Sequence, residues 1–131
     1  MHPLKLIGLK YRLGSNPDQH GTADCLSLAR AVLAYQGIKT PEPKRQWYRR
    51  LKHGDTSVFP EELERWGVKE KMPRLGSVAL CRADNGYGLA AYWSDGWLSF
   101  AGLEVIWSPL NGLPVEGFYC QQKQSCVIPL D

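Results

Sequence analysis

"GTADCLSLARAVLAYQGI", residues 21–38, decides how this chain is read. Cys25, Leu28, Ala29, Val32 and Leu33 recur at 3.6-residue spacing, which predicts a helix with one apolar face. Asp24 stands where an N-cap belongs, with Thr22 just upstream as the alternative. Gly37 suits a left-handed C-cap, and Pro41 bars continuation. The cysteine behind the cap has two readings. It is a small apolar residue on the buried face, or a nucleophile whose thiolate is favoured by the positive end of the helix dipole. Asp24 opposes that field. A nucleophilic thiol also needs a base in reach, usually histidine.

The chain has three histidines. His2 lies near the chain start. His53 closes a charged segment and reads as solvated. His20 precedes Cys25 by five residues, in a loop rich in Asn, Asp and Gly, and could fold back over the helix start. It is the one local candidate for a base, and none of the three lies on an expected strand.

Working outward, residues 1–22 read as irregular. "PKRQWYRRLKHG" (43–54) and "PEELERWG" (60–67) predict two further helices, the second opened by Pro60 and acids. After Gly76 the period changes. "SVALCR", "GLAAYWS", "WLSF", "LEVIW" and "VEGFYC" are short apolar and aromatic runs divided by Asn85-Gly86, Asp95-Gly96 and Asn111-Gly112. Helices followed by strands predict a single α+β domain over residues 1–131, its first helix packed on a small antiparallel sheet.

The totals agree with one globular domain: 131 residues, 44% hydrophobic, 22% charged, net charge +3. That charge permits an anionic partner without demanding one. Lys44, Arg45, Arg49, Arg50 and Lys52 surround Trp47 and Tyr48, a combination that can bind nucleic acid but more often marks a solvated helix face. The four cysteines, Cys25, Cys81, Cys120 and Cys126, form no C-x-x-C pair, so a zinc knuckle is not expected. They read as reduced thiols. A Cys120–Cys126 bridge would need an oxidising compartment. No metal or cofactor is implied. The start, "MHPLKLIGLKYRLG", lacks the apolar core and cleavage site of a signal peptide, and no run is long enough to span a membrane.

At this point the chain resembles the NlpC/P60 family of papain-like cysteine hydrolases. In that family a Tyr-x-x-Gly-Gly/Ser turn leads through a loop to Asp-Cys-Ser at a helix start, and the helix ends in Gly-Ile before a Pro. Tyr11, Gly14, Ser15, Asp24, Cys25, Gly37, Ile38 and Pro41 stand in that order. "LGSVALCRADNGYGLAAYWSDGWLSF" (75–100) is similar to the family's next two strands, with Gly76, Val78, Leu80, Tyr92, Asp95 and Gly96 in frame. The two blocks cover most of residues 11–100.

The resemblance implies a papain-like fold, with Cys25 as nucleophile and Tyr11 and Asp24 helping to hold a substrate amine. It implies cell-wall peptides as substrates, cut at γ-D-glutamyl to diamino-acid bonds. It also exposes departures. The residue after the nucleophile is Leu26 where the family has Ser. With Tyr92 in register, the catalytic His position falls on Gly88, which has no side chain to take a proton. The third, orienting position falls near Ser99 or on Phe100.

Three expectations follow. The first is a domain that retains Cys25 but is non-hydrolytic or strongly impaired, serving to bind or as a structural component. The second is an active peptidase or amidase with His20 as relocated base. The third is nucleic-acid binding through residues 43–54. Under the first, the partner is a cell-wall peptide or another protein of an assembly, not a membrane. The location is then cytoplasmic or virion-associated, in a phage or bacterial setting.

Overall fold

The computed structural model describes residues 1–122. Its elements are β1 (Lys10–Tyr11), α1 (Pro17–His20), β2 (Thr22–Ala23), α2 (Cys25–Tyr35), α3 (Arg45–Lys52), α4 (Val58–Trp66), β3 (Gly67–Glu70), β4 (Val78–Ala83), β5 (Gly86–Trp93), β6 (Gly96–Ala101), β7 (Glu104–Pro109) and β8 (Val115–Gln121). The mixed α+β class matches the order of periods in the sequence. Three helices and five strands fall where the patterns place them. Residues 1–22 differ: they hold a 3-10 turn at Pro3–Lys5, α1, and two short strands. Those strands have two residues each, too few for any alternation to appear.

The sheet order is β2-β1-β7-β6-β5-β4-β8-β3. Strands β4 to β7 form the expected antiparallel meander. β8 departs from it, returning to pair with β4 rather than β7. The register between β4 and β8 slips by one residue between Leu80 and Cys81, a bulge. β1 pairs antiparallel with β7 and parallel with β2, which hands the chain directly to α2.

Turn chemistry explains the meander's tight corners. Ser94 and Asp95 both have φ near +55° (54° and 56°), the pair of left-handed residues of a type I′ hairpin turn. The turn thus sits one residue ahead of Asp95-Gly96. Gly96 is required for space: a Cβ there would stand 2.3 Å from the Ser108 carbonyl oxygen and 2.4 Å from the Trp107 ring.

Helix α2 is the centre of the packing. Ala29 and Leu33 join Trp47 of α3, Val58, Phe59 and Leu63 of α4, and Val78, Leu80 and Leu89 of the sheet in one cluster. Leu28 and Val32 point to a second, with Leu6, Ala91, Leu98 and Val105. Each such leucine or valine removed from water is worth about 1.5–3 kcal/mol. The opposite sheet face carries Ala79, Ala90 and the buried Trp97, whose indole N–H donates to the Leu110 carbonyl at 3.2 Å. Among the described residues no helix is long and apolar enough to cross a membrane.

Candidate functional site around Cys25

The first turn of α2 is fixed by a carboxylate. Asp24 is the N-cap, and its Oδ1 accepts the Ser27 N–H at 2.8 Å. Ser27 Oγ accepts the Asp24 N–H at 2.9 Å, completing a reciprocal capping box. Asp24 Oδ2 accepts the Gly14 N–H at 2.8 Å. Gly14 has φ +83°, so the turn after Tyr11 requires a residue free to adopt the left-handed region. This explains physically why a Gly in that turn and an Asp before the cysteine occur together.

Asp24 is only 2% exposed. Its burial is compensated by the backbone and side-chain donors that surround it. One of these is the Tyr48 hydroxyl of α3. Burial, then the Asp24 charge and this hydrogen bond, push the Tyr48 phenol far above its usual range. Tyr48 is a site residue that sequence reading missed. It sat inside the basic run, and no local spacing ties position 48 to position 24.

Cys25 is the first residue of α2, with a half-buried side chain. Its sulfur lies 4.0 Å from where a Cβ on Gly88 would stand. Strand β6 pairs with β5 only from Ala91 onward, which leaves this stretch of β5 open on that side. The Leu89 backbone N–H donates to the Cys25 sulfur. Burial nevertheless raises the Cys25 thiol above its ordinary value. The Leu89 N–H pulls the other way and the Asp24 charge adds to the rise. Dipole stabilisation therefore loses to desolvation here, and the resting state is the neutral thiol.

Cys81 is the cross-strand partner of Gly88. Burial, followed by the Cys25 charge, pushes its thiol up to about 11. Cys120 is buried, with its sulfur 3.4 Å from Ser77 Oγ. Cys126, the suggested bridging partner, lies outside the described residues.

Tyr11 and Phe100 complete the surroundings. Their rings meet edge to face, with centroids 5.3 Å apart. The Tyr11 phenol is raised by burial and then by the Cys25 and Asp24 charges, which places it in the field of both. Ser99 takes the other sheet face, where it is 6% exposed and its Oγ has no hydrogen-bond partner in the structure. Thus Tyr11, Asp24, Cys25, Gly88 and Phe100, chosen from sequence, are brought together.

The histidines are placed differently. His20 is exposed at the end of α1, and its Nδ1 accepts the Asn16 N–H at 3.0 Å. A neutral imidazole with Nδ1 as acceptor carries its proton on Nε2. Its one basic nitrogen is therefore spent on the backbone of its own turn. His2 is not the loose terminal residue its position suggests. It caps the 3-10 turn and packs edge-on against Tyr35 and Trp93, with centroids at 5.0 and 5.7 Å. Tyr35 ends α2, about 15 Å along the helix from Cys25 at 1.5 Å per residue. His53 is exposed at the C-cap of α3.

The basic-aromatic segment does not assemble as a stacking surface. Trp47 is 6% exposed and turned inward, and Tyr48 serves Asp24. Arg50 is committed to Glu61 through both terminal nitrogens, at 2.8 and 3.0 Å, and to Asp55 through Nε at 2.8 Å. Among the described residues no three His, Cys, Asp or Glu side chains converge as a metal site would need. No protein-family model matches the chain, and no curated protein matches it.

Proposed function

We propose that this is a divergent papain-like domain of the NlpC/P60 type whose site retains the nucleophile position and lacks its base. It binds a peptide-like ligand, as a recognition or structural part of an assembly, without hydrolysing it efficiently. One observation carries the reading: Gly88, the position at which the resemblance calls for histidine, is the residue that faces the Cys25 sulfur.

The chemistry follows. Cysteine hydrolysis needs a group to take the thiol proton and return it to the leaving amine. General acid–base action of this kind is worth roughly 10²–10⁴-fold, and nucleophile and base act as a unit. Here the thiol is held neutral by burial. Phe100 offers no hydrogen bond with which to orient an imidazole. Tyr11, 38% exposed beside Cys25, remains available to a ligand. Asp24 supports the site from beneath.

The test is titration of the full chain with a γ-D-glutamyl diamino-acid peptide, with Cys25 alkylation as competitor signal. Saturable protection of Cys25 without cleavage is the expected result. Cleavage at a rate abolished by Cys25→Ser and by His20→Gln would instead establish the relocated-base enzyme. Neither protection nor cleavage would remove the peptide-binding reading altogether.

A further inference from the structure

Next to the Cys25 face of α2 lies a second concavity, whose lining does not include Cys25. It is a cavity of about 280 Å³ between α2, α3, α4 and the sheet. Its floor includes Leu33, Val58, Leu63 and Leu89, and Trp47 and Trp66 supply ring surface. On α2 it takes Leu26, Ala29, Arg30 and Leu33, a single i, i+3, i+4, i+7 face.

The charge at its rim is one-sided. Arg30, Lys44 and Arg65 line it against the single carboxylate of Glu62. Glu62 is paired with Arg65 at 3.1 Å. Arg30 donates to Thr40 Oγ1 at 3.0 Å, and its ion-pair partner Glu42, at 3.5 Å, is almost fully exposed. Such an exposed pair contributes little and exchanges readily. Lys44 has no carboxylate partner among the described residues; its ammonium lies 5.9 Å from the Trp47 ring centroid. Two cations of the lining, Arg30 and Lys44, are therefore open to an anion, one weakly paired and one unpaired.

We propose that this cavity binds a small monocarboxylate with one apolar chain or ring, its body among the leucines and tryptophans and its head at Arg30 and Lys44. Ligand pockets run from about 300 to 1,000 Å³, so this one suits a single medium-length chain rather than a multi-ring molecule. The planar guanidinium matches a carboxylate bidentately, and the ammonium adds a point charge. The lining includes none of Tyr11, Asp24, Cys25 or Gly88, so the proposal does not depend on the peptide site.

Decanoate and 1-decanol, each below its aggregation threshold, test this with the full chain. Calorimetry would be read together with tryptophan fluorescence and methyl NMR of Leu26, Leu33 and Val58. Decanoate should bind at least tenfold more tightly than 1-decanol and shift those methyl signals. Arg30→Gln combined with Lys44→Gln should bring decanoate to the level of the alcohol. Leu26→Trp, checked for an intact melting transition, should weaken both. Equal binding of acid and alcohol by the native chain would overturn the proposal. So would perturbed signals confined to other residues, or no binding of either compound. Should Leu26→Trp fail to fold, methyl mapping on the native chain decides.

Discussion

The two sides of the first turns of α2 differ in kind. On the Cys25 side, polar groups are set one against another: Gly14 on Asp24, Ser27 on Asp24, Tyr48 on Asp24, Leu89 on Cys25. On the Leu26 side, apolar side chains from five elements enclose a space, and the few charged groups in its lining are mostly cations. The first arrangement is directional, so loss of one partner changes its chemistry. The second is additive, and loss of one side chain changes only its depth. A polar site can therefore change its chemistry by a single residue and still keep its shape.

The sharpest way to break this comparison is Gly88→His. Gly88 lacks a positive φ, and a Cβ there meets the Cys25 sulfur at ordinary contact distance, so neither backbone nor Cβ opposes the change. A neighbouring imidazolium lowers a cysteine pKa to about 3.5–7.5. Alkylation of Cys25 at pH 7 should rise at least tenfold in the variant, read by mass spectrometry against iodoacetamide. No change in rate would mean that position 88 does not address the sulfur. In the native chain the same assay should show a slow thiol whose rate climbs only above the ordinary cysteine range.

Asp24→Ala should have the largest effect on stability. It removes an N-cap worth about 0.5–2 kcal/mol. It also strands the Gly14 N–H and the Tyr48 hydroxyl at about 1–3 kcal/mol for each group left without a partner. The combined loss should shift the melting temperature by several degrees or more. A variant that melts like the native protein would show that Asp24 is not the keystone of the polar side. On the apolar side, Leu33→Ala deletes a side chain that is 2% exposed, at a cost of about 2–5 kcal/mol spread over cavity and core.

Tyr48→Phe is smaller and more diagnostic. Removing the hydroxyl should cost about 1 kcal/mol near neutral pH. The folded phenol titrates above its unfolded value. Its contribution is therefore fully present below pH 10 and is lost as pH rises toward the folded pKa. Denaturant unfolding as a function of pH should show an alkaline decline in the native chain, shallower in Tyr48→Phe. Identical slopes would detach Tyr48 from Asp24. Smallest of all should be Arg50→Ala. Its partner Asp55 is held at about 2 by Arg50 and then by Ser57, but the network is solvent-exposed. The expected readout is a salt-sensitive shift in the α3–α4 loop by hydrogen exchange, with little change in melting.

The same contrast explains what could be read from the sequence. The helix at 25–35 was legible because its cap, apolar period and C-terminal glycine all lie within eighteen residues. So were β4 to β7, whose turns carry their own signals. The juxtaposition of Tyr11, Asp24, Cys25 and Gly88 came from a resemblance, and distances now stand beside it. What stayed hidden depends on packing across the chain. β8 joins β4 because of which sheet edge is open, which composition does not record. Tyr48 reaches Asp24 only once the fold brings α3 near the start of α2. Periodicity gave the apolar face of α2 as one stripe. The fold divides it, sending Leu28 and Val32 to one cluster and Ala29 and Leu33 to another. The cavity lies beside that second stripe, so it had no signature of its own.

One further feature bears on how the site keeps its geometry. At the far end of α2, the Gln36 amide donates to the Tyr92 carbonyl at 3.0 Å, while its oxygen accepts the Gly76 N–H at 2.7 Å. With Asp24 tied to Gly14 at the other end, the helix is mounted at two points, one on the loop before it and one on strand backbone remote in sequence. A helix so mounted can neither roll nor slide on the sheet. A roll of one residue is about 100° and would turn Cys25 away from Gly88. The domain thus keeps a bearing for its cysteine, and α2 should open to solvent exchange only together with the strands that hold it.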